Sequence, residues 1–191
     1  DSPTRLRKTR EILMNVWVYE SKEITSIRKE AISLLTKYPD YAAAINLCLI
    51  YLAYPVVADI CKFMGRLFEF QDEVTNAMLK QKLYDEWGER GTLETTTRRI
   101  TLTLKDMDIL TCESKTRYRL KRQIIKNEKV VNFLLSISMR IDGKSYYTFS
   151  DIKEFSLLFP FDFQTNKEQL MADERFMINN FGGELTVALK D

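Results

Sequence analysis

Cations and short hydroxyls, rather than acid–base catalysts, are the side chains in this sequence that could do chemistry. The chain of 191 residues contains no histidine. That removes serine–histidine and cysteine–histidine nucleophilic pairs, the commonest general base and the commonest zinc ligand. Cys48, Cys61 and Cys112 are odd in number and show no CxxC spacing. Neither a structural zinc site nor a disulfide framework is expected from them, which fits a reducing cytoplasm. Cys48 and Cys61 lie among apolar residues and read as buried packing. Asp85-Glu86 with Glu89, or Asp151 with Lys153 and Glu154, can be strung into a metal-dependent nuclease site. Both sets fall at ordinary surface spacing on predicted helices, and no glycine-rich phosphate loop accompanies them. The expectation is a non-enzymatic protein with no cofactor and no bound metal.

What remains is a local run of cations. Lys115, Arg117, Arg119, Lys121, Arg122, Lys126 and Lys129 fall within one short window, opposed inside it by Glu128 alone. The formal charge of the whole chain is only +2, so a nucleic-acid surface must come from clustering of this kind and not from a global field.

The elements that would position these cations can be read from hydrophobic spacing. A composition 45% hydrophobic and 29% charged, with six glycines and four prolines, predicts a mainly α protein of one or two domains. From Leu83 to Arg122 the order is helix, tight glycine-containing turn, helix and basic β-hairpin. Gly88 and Gly91 bracket the charged turn Glu89-Arg90. The second helix is expected to start near Thr92, with Thr92, Thr95 and Thr96 as candidate caps. Leu93, Thr97, Ile100, Leu104 and Met107 line one face of it. Thr96, Arg98, Arg99 and Thr103 spread over the rest. Two strand-like runs follow, Asp108 to Cys112 and Thr116 to Leu120, around the turn Glu113-Ser114-Lys115. Tyr118 and Leu120 alternate with Arg117, Arg119 and Lys121, as in a half-buried hairpin.

The remaining chain divides into a helical N-terminal part, 1–70, and a C-terminal part, 123–191, on either side of the 71–122 unit. At the N-terminus Ser2 and Pro3 are a cap and a first-turn proline. Leu6, Leu13, Met14 and Trp17 make an apolar stripe beside Arg5, Arg7, Lys8 and Arg10. This is either the first core helix with a solvated face or a basic arm touching phosphates. A helix from Ser21 to Tyr38 precedes the most apolar run, in which Tyr41 to Ala58 carries no charge. Pro55 interrupts it, either starting a new helix or kinking the old one, so a buried central helix is expected instead of a membrane span. A further helix from Gln71 or Asp72 to Trp87 leads into the turn. After the hairpin, Gln123 to Arg140 is predicted as one core helix, and Ser150 as the cap of a helix through Phe155 to Phe159. Phe155, Phe159, Phe161 and Phe163 form a packing cluster. A helix from Asn166 to Phe176 and a strand from Glu184 to Leu189 end the chain, as a second degenerate copy of the helix–hairpin unit or as a cap on the first.

Helix, turn, helix and basic hairpin is the order of a winged helix. The run TTTRRITLTLKDMDIL, 95–110, resembles the second helix and first strand of bacterial winged-helix domains. There a threonine or serine is followed three later by arginine, five beyond that by leucine, then by glycine and two aliphatics. Thr96, Arg99, Leu104, Ile109 and Leu110 match, and Asp108 stands where glycine is usual. Aspartate tolerates the left-handed conformation better than most residues. The resemblance implies that Thr95, Thr96, Arg98, Arg99 and Thr103 face double-stranded DNA from the helix. It also implies that Lys115, Arg117 and Arg119 touch phosphate from the wing, with Lys121 and Arg122 extending that basic surface. The alternative is a protein-interaction adaptor built on the same scaffold without DNA binding. The segment from Leu52-Ala53-Tyr54-Pro55 to Asp59, followed by the 96–110 pattern, is similar to bacterial phage-defence proteins, the small A component of BREX systems among them. That similarity implies a cytoplasmic place in a larger defence or regulatory complex, with other proteins as partners and no membrane.

Overall fold

The computed structural model describes residues 3–19, 22–114, 116–181 and 183–190. Ser2, expected as a cap, and Lys115, expected on the wing, lie outside them. The chain is mainly helical, with three small sheets.

Helix α1 (Pro3–Trp17) and helix α2 (Lys22–Lys37) form the first layer. They are tied by a buried cation. The Arg28 guanidinium donates to the carbonyls of Val16, Tyr19 and Asn15 at 2.9, 2.7 and 2.8 Å. These carbonyls end α1 and have no partner within the helix, so Arg28 acts as its C-terminal cap. The expected core stripe of α1 is corrected. Leu6 and Leu13 are 58% and 55% exposed, whereas Met14 and Trp17 are half-buried, with Trp17 against the core, and Val16 is buried. Only the last turn of the helix reaches the core.

The long apolar run splits at Pro55 into α3 (Ala42–Ala53) and α4 (Pro55–Phe70). Proline occupies the first helical position, where no N–H is needed, and it pushes Tyr54 out of helical geometry. Among the described residues no helix is long and apolar enough to cross a membrane. Cys48 and Cys61 are fully buried, as their apolar surroundings predict. Helix α3 is buried on most sides, and the Tyr51 hydroxyl donates to the Leu157 carbonyl at 3.3 Å.

Next come β1 (Glu73–Thr75), α5 (Asn76–Trp87), α6 (Gly91–Asp106), β2 (Leu110–Ser114) and β3 (Arg117–Leu120). The expected helix from Gln71 or Asp72 is corrected. Residues 73–75 are a strand, and the Thr75 hydroxyl caps α5 by accepting from the Met78 N–H at 3.2 Å. Helix α6 begins at Gly91 behind Arg90 with no side-chain cap, so Thr92, Thr95 and Thr96 do not cap it. Asp108 adopts a φ of 58° at the junction into β2, the left-handed geometry its position called for. Strand β3 pairs antiparallel with both β1 and β2, giving the order β1-β3-β2.

The C-terminal part holds β4 (Gln123–Ile125), α7 (Glu128–Asp142), β5 (Tyr147–Thr148), α8 (Phe149–Lys153), β6 (Phe161–Phe163), α9 (Lys167–Met171), β7 (Phe176–Phe181) and β8 (Glu184–Leu189). The single helix expected from Gln123 is corrected: β4 pairs parallel with β6, and Asn127 caps α7. Thr148, not Ser150, caps α8, in a capping box with Asp151. Phe176 opens a strand and does not end a helix. The third sheet has the order β5-β8-β7. The order helix, strand, helix, helix and hairpin runs from α4 to β3, with β1 against β3; from α7 to β8 a similar order is interrupted by β6, and β5 pairs with β8. Of the phenylalanine cluster, Phe159 stacks on Phe68 at 5.9 Å and Phe155 meets Tyr147 edge-on at 5.2 Å. Both contacts are packing.

Candidate nucleic-acid interface

Helix α6 buries Leu93, Thr97, Ile100, Thr101 and Leu104, so its opposite surface is free. At 100° per residue, Thr95, Arg99, Leu102 and Asp106 share the middle of that outer surface. Thr95, Arg98, Arg99 and Thr103 are exposed and Thr96 is half-buried. The five do not form one continuous patch. Arg98 turns towards α5, where it borders a recess with Lys80 and Glu94. Thr96, Arg99 and Thr103 border a cleft shared with α1, α3 and α4. The Thr103 hydroxyl donates to the Arg99 carbonyl at 3.0 Å, which ties it to its own helix. Neither guanidinium, of Arg98 or of Arg99, meets a carboxylate among the described residues. Leu102 is 46% exposed beside them.

The hairpin follows its period-two pattern. Tyr118 points into the core, while Arg117 and Arg119 point out. Its cations, however, are matched by carboxylates. Glu73 on β1 lies opposite Arg119 in the register. Its Oε1 accepts from Arg119 Nε at 2.9 Å and from Nη2 at 2.6 Å, and its Oε2 stands 3.6 Å from Arg117 Nη1. Lys121 Nζ lies 2.5 Å from Asp108 Oδ2, and Arg122 Nη1 lies 3.1 Å from Asp162 Oδ1. The basic window that counts one acid in sequence thus gathers three more in space. Exposed pairs of this kind are worth about 0–1 kcal/mol each, so a phosphate can replace the carboxylate at little cost.

Glu73 is the residue that sequence reasoning missed. A strand of three residues shows no period, and Glu73-Val74-Thr75 merges into the apparent helix that follows. The pointer was Thr75, a good cap just before Met78 and Leu79.

Of the carboxylates considered for a metal, Asp151 accepts from the Thr148 N–H at 2.9 Å in its capping box, and Asp85 accepts from Gln81 Nε2 at 2.8 Å. Among the described residues, no three carboxylate or cysteine side chains gather as a metal set. Comparison with known protein families, curated proteins and solved structures finds no match to this chain.

Proposed function

We propose that residues 71–122 act as a winged helix that binds duplex DNA, with α6 entering the major groove and the β2–β3 hairpin lying along the phosphate backbone. The observation that carries this is that the exposed Arg98 and Arg99 guanidiniums of α6 meet no carboxylate among the described residues. The element order supports it, because β1 against β3 is the strand that joins a wing to its helix pair. Thr95 and Arg99 are then the central contacts, guanidinium to guanine or phosphate and hydroxyl to either. In the C-terminal part, α9 is short and Arg175 is held by Glu30 and Asp173.

Fluorescence anisotropy of a labelled duplex across a salt series tests the reading. Arg99→Ala with Arg117→Ala should weaken binding together and flatten the log–log salt dependence by about two phosphate equivalents. Glu73→Gln should do the reverse. It releases Arg117 Nη1 from Glu73 Oε2, so the salt slope should steepen by about one. Unchanged binding in the double variant would remove these contacts from the interface.

A protein-interaction adaptor is the second reading. It is favoured by the exposed Leu102 at the centre of the α6 surface and by the carboxylates that neutralise the hairpin. Absence of DNA binding at low salt selects it. Membership of a bacterial phage-defence complex is proposed from the resemblance of residues 52–59 and 96–110.

A further inference from the structure

The cleft beneath Arg99 is bounded on different sides by α1, α3, α4 and α6, and encloses about 300 Å³. Ile12 of α1 lines it together with Leu47, Ile50, Val57 and Ile100. A helix with its side chains is about 10–12 Å across, too wide for a recess of this size, so the occupant is a small molecule. A volume of this order lies at the small end of ligand pockets, which run from about 300 to 1,000 Å³.

The rim carries one cation, Arg99, and three hydroxyls, of which that of Thr103 already donates to the Arg99 carbonyl. Arg99, Thr96, Thr103 and Tyr54 border the cleft, and no carboxylate does. The Arg99 guanidinium has no ion-pair partner among the described residues. The Tyr54 hydroxyl accepts from Asn15 Nδ2 at 3.0 Å and keeps its own proton for another acceptor. An apolar pocket with a few convergent donors suits a ligand with an apolar body and one anionic head. The fork of an arginine fits a carboxylate with two parallel hydrogen bonds.

We infer that this cleft binds a small amphipathic carboxylate, its apolar body between α3, α4 and α6 and its carboxylate on Arg99 and the Tyr54 hydroxyl. A ligand held there occupies the guanidinium proposed above to contact DNA, so ligand and DNA compete for Arg99. That consequence rests on the DNA-binding reading, whereas the ligand site does not.

Octanoate is a probe of the right size, and 1-octanol is its uncharged counterpart. Titration of the full chain, without DNA, should show saturable octanoate binding. Nuclear Overhauser contacts should run from its methylenes to the methyls of Leu47, Ile50 and Val57. Arg99→Gln should weaken octanoate by about tenfold or more while leaving octanol unchanged. Absence of saturable binding, or contacts to other methyls, overturns the site. Octanoate affinity that is equal in Arg99→Gln overturns the assignment of a carboxylate head. If octanoate binds as expected and the protein has no DNA affinity, the site stands and the competition is overturned.

Discussion

Gly65→Ala is expected to lower the free energy of unfolding by up to about 2 kcal/mol, although alanine is the better helix former. Gly65 lies inside α4, where the exchange by itself would favour the folded state by about 1 kcal/mol. A Cβ built there meets the Ser156 carbonyl oxygen at 2.1 Å, its carbon at 2.9 Å and the Phe159 Cβ at 3.1 Å. The nearest atom is backbone and cannot swing aside, so α4 must move off the single-turn helix Ser156–Leu158. Overpacking of this kind costs about 1–3 kcal/mol and occasionally more. It would also disturb the adjacent Phe68–Phe159 stack. Gly91→Ala is the control, because nothing lies within 4 Å of a Cβ there. That variant should change stability by less than about 1 kcal/mol. Urea denaturation of the two proteins decides the matter: equal midpoints would mean that α4 and the Ser156 turn are not pressed together.

Arg175→Met should have a comparable or larger effect near neutral pH, about 2–4 kcal/mol. Arg175 Nη1 lies 2.6 Å from Glu30 Oε1, while Nη2 and Nε reach the Asp173 oxygens at 2.5 and 2.8 Å. Asn132 Nδ2 donates to Asp173 at 2.9 Å and its own oxygen accepts from Gln169 at 2.8 Å. One cation thereby clasps α2, α7, α9 and the start of β7. Removing a partner from a buried pair costs about 3–5 kcal/mol. The lower range applies here because the Arg175 side chain is 27% exposed.

The pH dependence has a definite sign. Burial by itself would raise the Asp173 carboxyl, but hydrogen bonds from the Arg175 side chain, Asn132 and the Arg175 N–H, with the Arg175 charge, lower it to about 2. A folded value below the ordinary 3.8 stabilises the protein above about pH 4, and this contribution is lost as pH falls towards about 2. Glu30 behaves oppositely. Burial raises its carboxyl in spite of Arg175, so its contribution is present in acid and lost as pH rises through the raised value. With methionine at 175 both carboxylates lose their counter-charge and take up protons more readily. The stability gap between the two proteins should therefore narrow between about pH 4 and pH 2. A gap that stayed constant over that range would show that the clasp is not electrostatic.

Local features carried well from sequence to structure. Pro55 breaks the apolar run where its missing N–H and its steric demand on Tyr54 require. Asp108 takes the left-handed turn that a helix-to-strand junction needs. The change from helical spacing at Leu93, Ile100 and Leu104 to alternation at Arg117, Tyr118 and Arg119 marks α6 and the hairpin correctly, with Thr97 buried by donating its hydroxyl to Leu93 at 2.8 Å. Strands β1, β4 and β6 were not legible, because three residues contain too little period to separate from a neighbouring helix. The stripe on α1 misled because apolar spacing shows that one face differs from another, not that a partner covers it.

For the candidate interface, the sequence by itself determined the helix pair, the tight turn, the basic hairpin and the cations they carry, since each depends on neighbours within a few residues. Tertiary structure alone decided which cations are free. Glu73 meets Arg119 across a separation of 46 positions, and Arg122 meets Asp162 across 40. It also decided that Arg98 and Arg99 leave α6 towards different neighbours, and that Arg99 overhangs an apolar cleft. Charge partners and clefts arise from distances between elements, and hydrophobic period carries no information about those distances.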